Sequence, residues 1–277
     1  CVYGAANLAN QVEQLKKGPQ IVVATPRRLQ DHMNRRSIDI SHVKDIVLDE
    51  ADEMLNMGFY KDVRKILDSI KSKQRLAMFS ATISREVMDI GWLYQRDAEE
   101  ITVQPVLESA PKIDQYMMLT TGRNKLADLT ELIIKEGYSR VMVFCNTKYT
   151  TAMLSNQLAR LNFDVDCLHG DLSQAERNKI MARFKAGELA VLVATDVAAR
   201  GIDVTDVDAV FNYDVPPSNE YYTHRIGRTG RAKKEGKAYI LYMKEERNRV
   251  RDMLRYTRNT AKPIAFNENG ELVDAEF

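Results

Sequence analysis

Short apolar runs alternate along this chain with stretches whose apolar residues recur every three or four positions. Val2 and Tyr3 read as the end of a strand. Leu8, Val12 and Leu15 then carry helical spacing until Gly18-Pro19 ends it. Residues 20–24 (Gln-Ile-Val-Val-Ala) read as the next strand, and Pro26 suits the first turn of the helix that follows. Ile46-Val47-Leu48 reads as a strand buried on both faces of a parallel sheet. Met54, Leu55, Phe59, Val63, Ile66 and Leu67 mark a helix that Gly58 is placed to break. Residues 76–79 and 100–103 read as further strands, and residues 104–111, with two prolines and no period, read as a linker. From Ile113 the alternation restarts. It predicts strands near 116–119, 140–145, 165–168, 190–194, 209–213 and 237–241, with helices over 125–135, 150–161 and 174–186. This is an α/β pattern of two parallel-sheet domains, 1–107 and 108–265. Residues 266–277 are polar and acidic and are expected to be a disordered or truncated tail. The first residue is Cys1, within an apparent strand, so the first domain is expected to be N-terminally truncated.

Composition narrows the classes. The 277 residues are 44% hydrophobic and 29% charged, with 40 Lys and Arg against 39 acids. Any nucleic-acid contact must therefore use local basic clusters. Cys1, Cys145 and Cys167 lack metal-ligand spacing and read as free thiols, which fits a cytoplasmic location. No apolar stretch approaches the roughly 20 residues that span a bilayer.

The candidate chemistry lies at strand ends, where ligands of open α/β sheets bind. Asp49, Glu50 and Asp52 follow Leu48 directly. Acids here can hold Mg²⁺ through its waters, and one can take a proton from an attacking water. An acidic first helical turn explains a lone Asp-Glu pair equally well. Ser80 and Thr82 end the next strand, and strands of one parallel sheet end along one edge, so both can hydrogen-bond Asp52. Thr25, Pro26 and Arg28 at a helix start can seat a phosphate, although Thr-Pro is also an ordinary cap. In the second half Asn146 and Thr147 end a strand. His169-Gly170-Asp171 follows another, and His169 alone reads as a hydrogen-bonded structural histidine. Ser173 and Glu176 form a capping box ahead of Gln174 and Arg177. Arg177 is a cation where the helix dipole disfavours one, and phosphate recognition is a motive for it. Thr195 ends the next strand, ahead of a loop that carries Asp203. Arg225, Arg228 and Arg231 recur at three-residue intervals beside His224, a spacing that on a helix would aim them together at a polyanion.

Thr25-Pro26…Arg28, Asp49-Glu50-Ala51-Asp52, Ser80-Ala81-Thr82, Phe144-Cys145-Asn146-Thr147, Gln174…Arg177, Ala194-Thr195-Asp196…Arg200-Gly201-Ile202-Asp203 and His224-to-Arg231 together resemble, in order, the motifs of the DEAD-box ATP-dependent RNA helicases. Arg27 stands where the family has Gly, and Gly4-Ala5 where it has paired glycines. The resemblance implies two RecA-like domains that close on ATP, Mg²⁺ and single-stranded RNA. It implies Asp49 (with Glu50) for Mg²⁺ through water and Glu50 as the base for the attacking water. Asp52, Ser80, Thr82 and His224 would couple the sites, and Asp203 would contact the ribose. Arg228 and Arg231 would act as arginine fingers, a role worth roughly 10³–10⁵ in rate. RNA would cross Thr25, Arg28, Thr147, Gly170, Gln174, Arg177 and Thr195, mostly through phosphate and sugar.

No Gly-x-x-x-x-Gly-Lys-[Ser/Thr] phosphate loop occurs in the sequence, so the chain is expected to be a fragment of such a helicase, poorly active alone. Two other readings compete with it. A non-catalytic RNA-binding module would also lack the loop. A metal-dependent nuclease would use the three acids directly but would not need the arginine series.

Overall fold

The structure is a computed structural model that describes residues 1–4, 6–71, 75–102, 113–199, 204, 207–230 and 235–277. It divides into two units, Cys1–Gln104 and Pro105–Phe277.

In the first unit Asn7 caps α1 (Leu8–Lys16), and Pro26 opens α2 (Pro26–Asn34). β1 (Asp45–Leu48) leads into α3 (Ala51–Met54). The apolar period from Met54 to Leu67 is interrupted as expected. A π-type turn over Leu55–Phe59 contains Gly58 at φ 85°, a conformation open to glycine, and α4 (Tyr60–Asp68) resumes beyond it. β2 (Arg75–Met78) pairs parallel with β1, and α5 (Arg85–Tyr94) starts from a Ser84 cap. Ala51, Leu55, Val63, Leu67, Val87 and Ile90 form the core, with Ile46 and Leu48 packed on it.

Three expectations change here. Residues 20–24 form no strand, only one parallel bridge between Val2 and Ala24. Residues 100–102 carry no strand, and Val103 and the 104–111 linker lie outside the described residues. The two-stranded sheet is buried on one face only. Val47 is 61% and Phe79 60% exposed, because no described residue covers that side.

The second unit contains β3 (Ile113–Leu119), α6 (Lys125–Lys135), β4 (Val141–Cys145), α7 (Lys148–Arg160), β5 (Val165–Leu168), α8 (Gln174–Lys185) and β6 (Val191–Thr195). After these come α9 (Asp196–Ala199), β7 (Ala209–Asn212), α10 (Asn219–Ile226), β8 (Gly236–Tyr242), α11 (Arg247–Thr257), β9 (Lys262–Phe266) and β10 (Leu272–Asp274). The strands form one sheet in the order β10-β9-β3-β8-β7-β4-β6-β5. Every pairing is parallel except β10 with β9. Within the tail expected to be disordered or truncated, Leu272–Asp274 is ordered, because it finds a partner in the β9 edge.

Alternate residues explain the continuous apolar runs. Val141, Val143, Val191, Val193 and Phe211 enter one core, while Met142, Phe144, Leu192, Ala194 and Val210 enter another on the opposite face. A sheet covered on both faces needs an apolar residue at every position. β4 lies between β6 and β7, so the chain leaves it toward β5 and β6 and later returns on its other side. That reversal opens a crevice at the strands' carboxyl ends. Among the described residues no helix is long and apolar enough to cross a membrane.

Gly236 opens β8 directly against Gly230, itself at φ 74°. A Cβ on Gly236 would lie 2.5 Å from the Gly230 nitrogen and 2.6 Å from Thr229 Oγ1. Gly236→Ala is expected to cost about 1–3 kcal/mol, the usual price of overpacking. The shift should be read as a lowered urea midpoint in residues 105–277 expressed alone, a span with its own sheet and cores that should unfold cooperatively. An unchanged midpoint would show that the Gly230 turn moves freely aside.

Candidate nucleotide and RNA sites

β1 delivers Asp49 and Glu50 to solvent and Asp52 into the protein. The turn between them is tight. Asp49 Oδ1 accepts from Glu50 N at 3.0 Å, and Glu50 is left-handed at φ 47°. Asp52 is 4% exposed. Its Oδ2 accepts from Thr82 N at 2.8 Å and Thr82 Oγ1 at 2.7 Å, and its Oδ1 accepts from Glu53 N at 3.0 Å. Its own N–H donates to Ser80 Oγ at 3.1 Å. The contact expected from the shared sheet edge is therefore present. Burial raises the Asp52 pKa, but the hydrogen bonds from Thr82, Glu53 and Ser80 more than offset it, so the net shift is downward.

The phosphate-seat candidates of this unit lie on α2. Thr25 makes no side-chain cap bond, and Arg28 Nη1 donates to the Ala6 carbonyl at 3.2 Å. Arg27, where the family has Gly, lies 3.5 Å from Asp62 and 5.1 Å over the Phe59 ring.

In the second unit Thr147 caps α7, accepting from Thr150 N at 3.0 Å. Lys148 bonds Asp171 at 2.8 Å, tying that helix start to the turn holding Gly170. Ser173 and Glu176 form the expected capping box, and Gln174 Nε2 donates to Asn178 at 2.9 Å. Arg177 Nη2 donates to the Ala198 carbonyl at 2.6 Å, satisfying one of the carbonyls that α9 leaves open. Ala198 N in turn faces Thr195 Oγ1 at 3.4 Å. Thr147 and Gly170 thus lie in one linked group, and Arg177 and Thr195 in another. His169 departs from its reading, because its buried Nδ1 has no hydrogen-bond partner among the described residues. The Cys145 thiol is pushed upward by burial, and all three cysteines are free.

The arginine series is corrected. α10 stops at Ile226, so Arg225 and Arg228 do not share a helical face. Arg225 is 1% exposed and points inward. Its Nε and Nη2 grip Asp196 at 2.6 and 2.7 Å, and Nη2 also reaches Asn146 Oδ1 at 2.8 Å. Nη1 donates to the Asp214 carbonyl at 2.8 Å and Asn212 Oδ1 at 3.3 Å. Its guanidinium lies 5.3 Å from the centre of the Phe144 ring. Arg228 is half-buried beyond the helix and His224 is exposed on it, each with interactions of its own. Asp203 and Arg231 lie outside the described residues. The sequence reading missed this hub because its partners, 29 and 79 positions away, meet only once the strand order is known.

The DEAD/DEAH box helicase family matches residues 1–90, and the helicase conserved C-terminal domain matches residues 124–233. ATP-dependent RNA helicase CshA of Listeria monocytogenes is 40% identical over 95% of this chain and 51% of its own length. The DEAD-box ATP-dependent RNA helicase CshA of Bacillus subtilis is 40% identical over 90% of the chain and 51% of its own. The chain therefore spans about half the length of the curated relatives it matches. Among solved structures, a DEAD box protein from Methanococcus jannaschii is 39% identical over 95% of this chain and 71% of its own, at TM-score 0.54. Dbp5 of S. cerevisiae bound to RNA and ADP BeF3 is 29% identical over 95% of this chain and 69% of its own, at TM-score 0.79. Both units are RecA-like helicase folds. The chain belongs to the DEAD-box family.

Two outcomes follow from this geometry. Arg225→Met should destabilise the second unit by about 3–5 kcal/mol, the cost of leaving a buried acid unpaired, measurable by urea unfolding. Asp52, with its lowered pKa, stabilises the first unit fully above the ordinary carboxylate value near 3.9. That stabilisation is lost as pH falls through its own lower value. Asp52→Asn should therefore be less stable at neutral pH and show a shallower acid loss, read as urea midpoints across pH 3 to 7.

Proposed function

We propose that this chain serves an ATP-dependent RNA helicase, coupling ATP hydrolysis to the separation or remodelling of RNA. One observation carries the reading. Asp52 is spent on joining two strand ends, which leaves Asp49 and Glu50 exposed side by side at the carboxyl edge.

The donor set suits Mg²⁺. Among the described residues no three His, Cys, Asp or Glu side chains gather to cage a metal. Mg²⁺ is commonly held by one or two carboxylates, with waters and phosphate oxygens completing its shell. Asp49 and Glu50 would hold it through water, and when bound it would neutralise charge on the nucleotide's phosphates. Glu50 accepts a proton from the attacking water, and Asp49 braces the turn through its bond to Glu50 N. Arg228 and Arg231 offset the negative charge that grows on the transferring phosphoryl group, and Asp203 binds the ribose. Asp52, Ser80, Thr82 and His224 couple nucleotide to RNA.

RNA runs over Thr25 and Arg28 in the first unit and over Thr147, Gly170, Gln174, Arg177 and Thr195 in the second. Contacts of this kind go to phosphate and sugar and carry little sequence preference. The names of the curated relatives and the RNA and ADP BeF3 bound to Dbp5 support this reading. A cytoplasmic place of action fits three thiols that stay free.

Glu50→Gln keeps the size of the side chain and removes its basicity. RNA-stimulated phosphate release should fall by about 10²–10⁴, the usual worth of a general base, with RNA affinity retained. Arg177→Ala should instead weaken RNA binding and make its salt slope shallower by about 0.7, one lost phosphate contact on a single strand. An unmodified hydrolysis rate in Glu50→Gln would remove the carboxylates from the catalytic role.

A further inference from the structure

The first unit holds a buried polar cluster that the carboxylate site does not use. His32 on α2 is fully buried, and Gln11 on α1 is 4% exposed. Gln11 Nε2 donates to the Tyr3 carbonyl at 2.9 Å, which fixes the amide and turns its oxygen toward two donors. These are His32 Nε2 at 2.9 Å and Arg28 Nη1 at 3.4 Å. An amide oxygen only accepts, so His32 Nε2 carries the ring proton. Burial, and after it the charge of Arg28, lowers the His32 pKa, which favours the neutral ring. Its Nδ1 then accepts from the Ser37 hydroxyl, 2.7 Å away.

Buried polar groups on separate helices are costly unless fully paired, and once paired they fix geometry. What this cluster fixes is one nitrogen of one arginine, together with the turn that carries Tyr3 and Ala6. Arg28 spends Nη1 on the Ala6 carbonyl and Gln11. Among the described residues Nε and Nη2 have no partner, and they form the edge that matches two phosphate oxygens.

We propose that Gln11 and His32 are positioning residues that lock Arg28, so that its free Nε–Nη2 edge meets an RNA phosphate beside Thr25 at the head of α2. This deepens the RNA-binding reading above and rests on it.

The test is a double-mutant cycle read by anisotropy of a short fluorescein-labelled oligouridylate at several salt concentrations. His32→Phe should weaken binding by about 3- to 30-fold in the parent chain and flatten the salt slope by about 0.7. In an Arg28→Ala background it should change neither quantity. His32→Gln, which keeps an N–H donor near the Nε2 position, should restore affinity to within about twofold, well inside the coupling expected for contacting residues. Should His32→Phe fail a thermal unfolding check, Gln11→Met takes its place in the cycle. Equal losses in both backgrounds, or lowered thermal stability with affinity and slope unchanged, would overturn the proposal. Arg177→Ala serves as the control. Lost binding there with none in Arg28→Ala would overturn the positioning role and leave the RNA reading standing. No loss in either would remove both.

Discussion

A guanidinium removed from water is tolerated only where its N–H groups all find acceptors, and the second unit is arranged around that demand. Arg225 gathers Asn146 from the end of β4, Asp196 from the end of β6, and Asn212 and Asp214 from the end of β7. Asn146 N also donates to Asp214 Oδ2 at 2.9 Å, and buried Lys125 lies 3.7 Å from Asp214. Thr147 and Thr195 are chain neighbours of Asn146 and Asp196. Two residues proposed to contact RNA are thus placed by a charge that is itself buried.

The first unit meets the same requirement with the opposite sign. There the buried ion is Asp52, and the hydroxyl and amide of Thr82 both donate to it, while its own N–H donates to Ser80 Oγ. A charge is cheapest to bury where loops already supply dipoles, and strand ends are such places. Both units therefore place their strongest polar contacts where a parallel sheet leaves its backbone unpaired. Each contact also fixes the spacing of adjacent exposed residues.

The periodic parts of the fold were legible because burial on both faces writes itself as unbroken apolar runs. β4 and β6 fall where those runs lie, and α6 spans its residues as read. The first unit was harder. Residues 20–24 are as apolar as any true strand, yet Ile21 is 83% exposed and only Ala24 pairs. Strand formation there requires neighbours, and neighbours are not encoded locally. β9 and β10 were missed for the related reason that Lys262–Phe266 contains a proline and borrows its register from β3. At the sites, acids and hydroxyls at strand ends could be read from position. The inward turn of Arg225 could not, since three-residue spacing says where side chains point only while the helix lasts.

Glu50 sits in a left-handed turn that glycine or asparagine would enter with less strain. Backbone preference therefore does not account for a glutamate here. Relaxing the turn with glycine would relieve the strain and delete the carboxylate in the same step. Backbone strain and the exposed carboxylate are thus tied to one residue, and variants selected only for thermal robustness would drift toward a firmer protein without that acid at the strand edge.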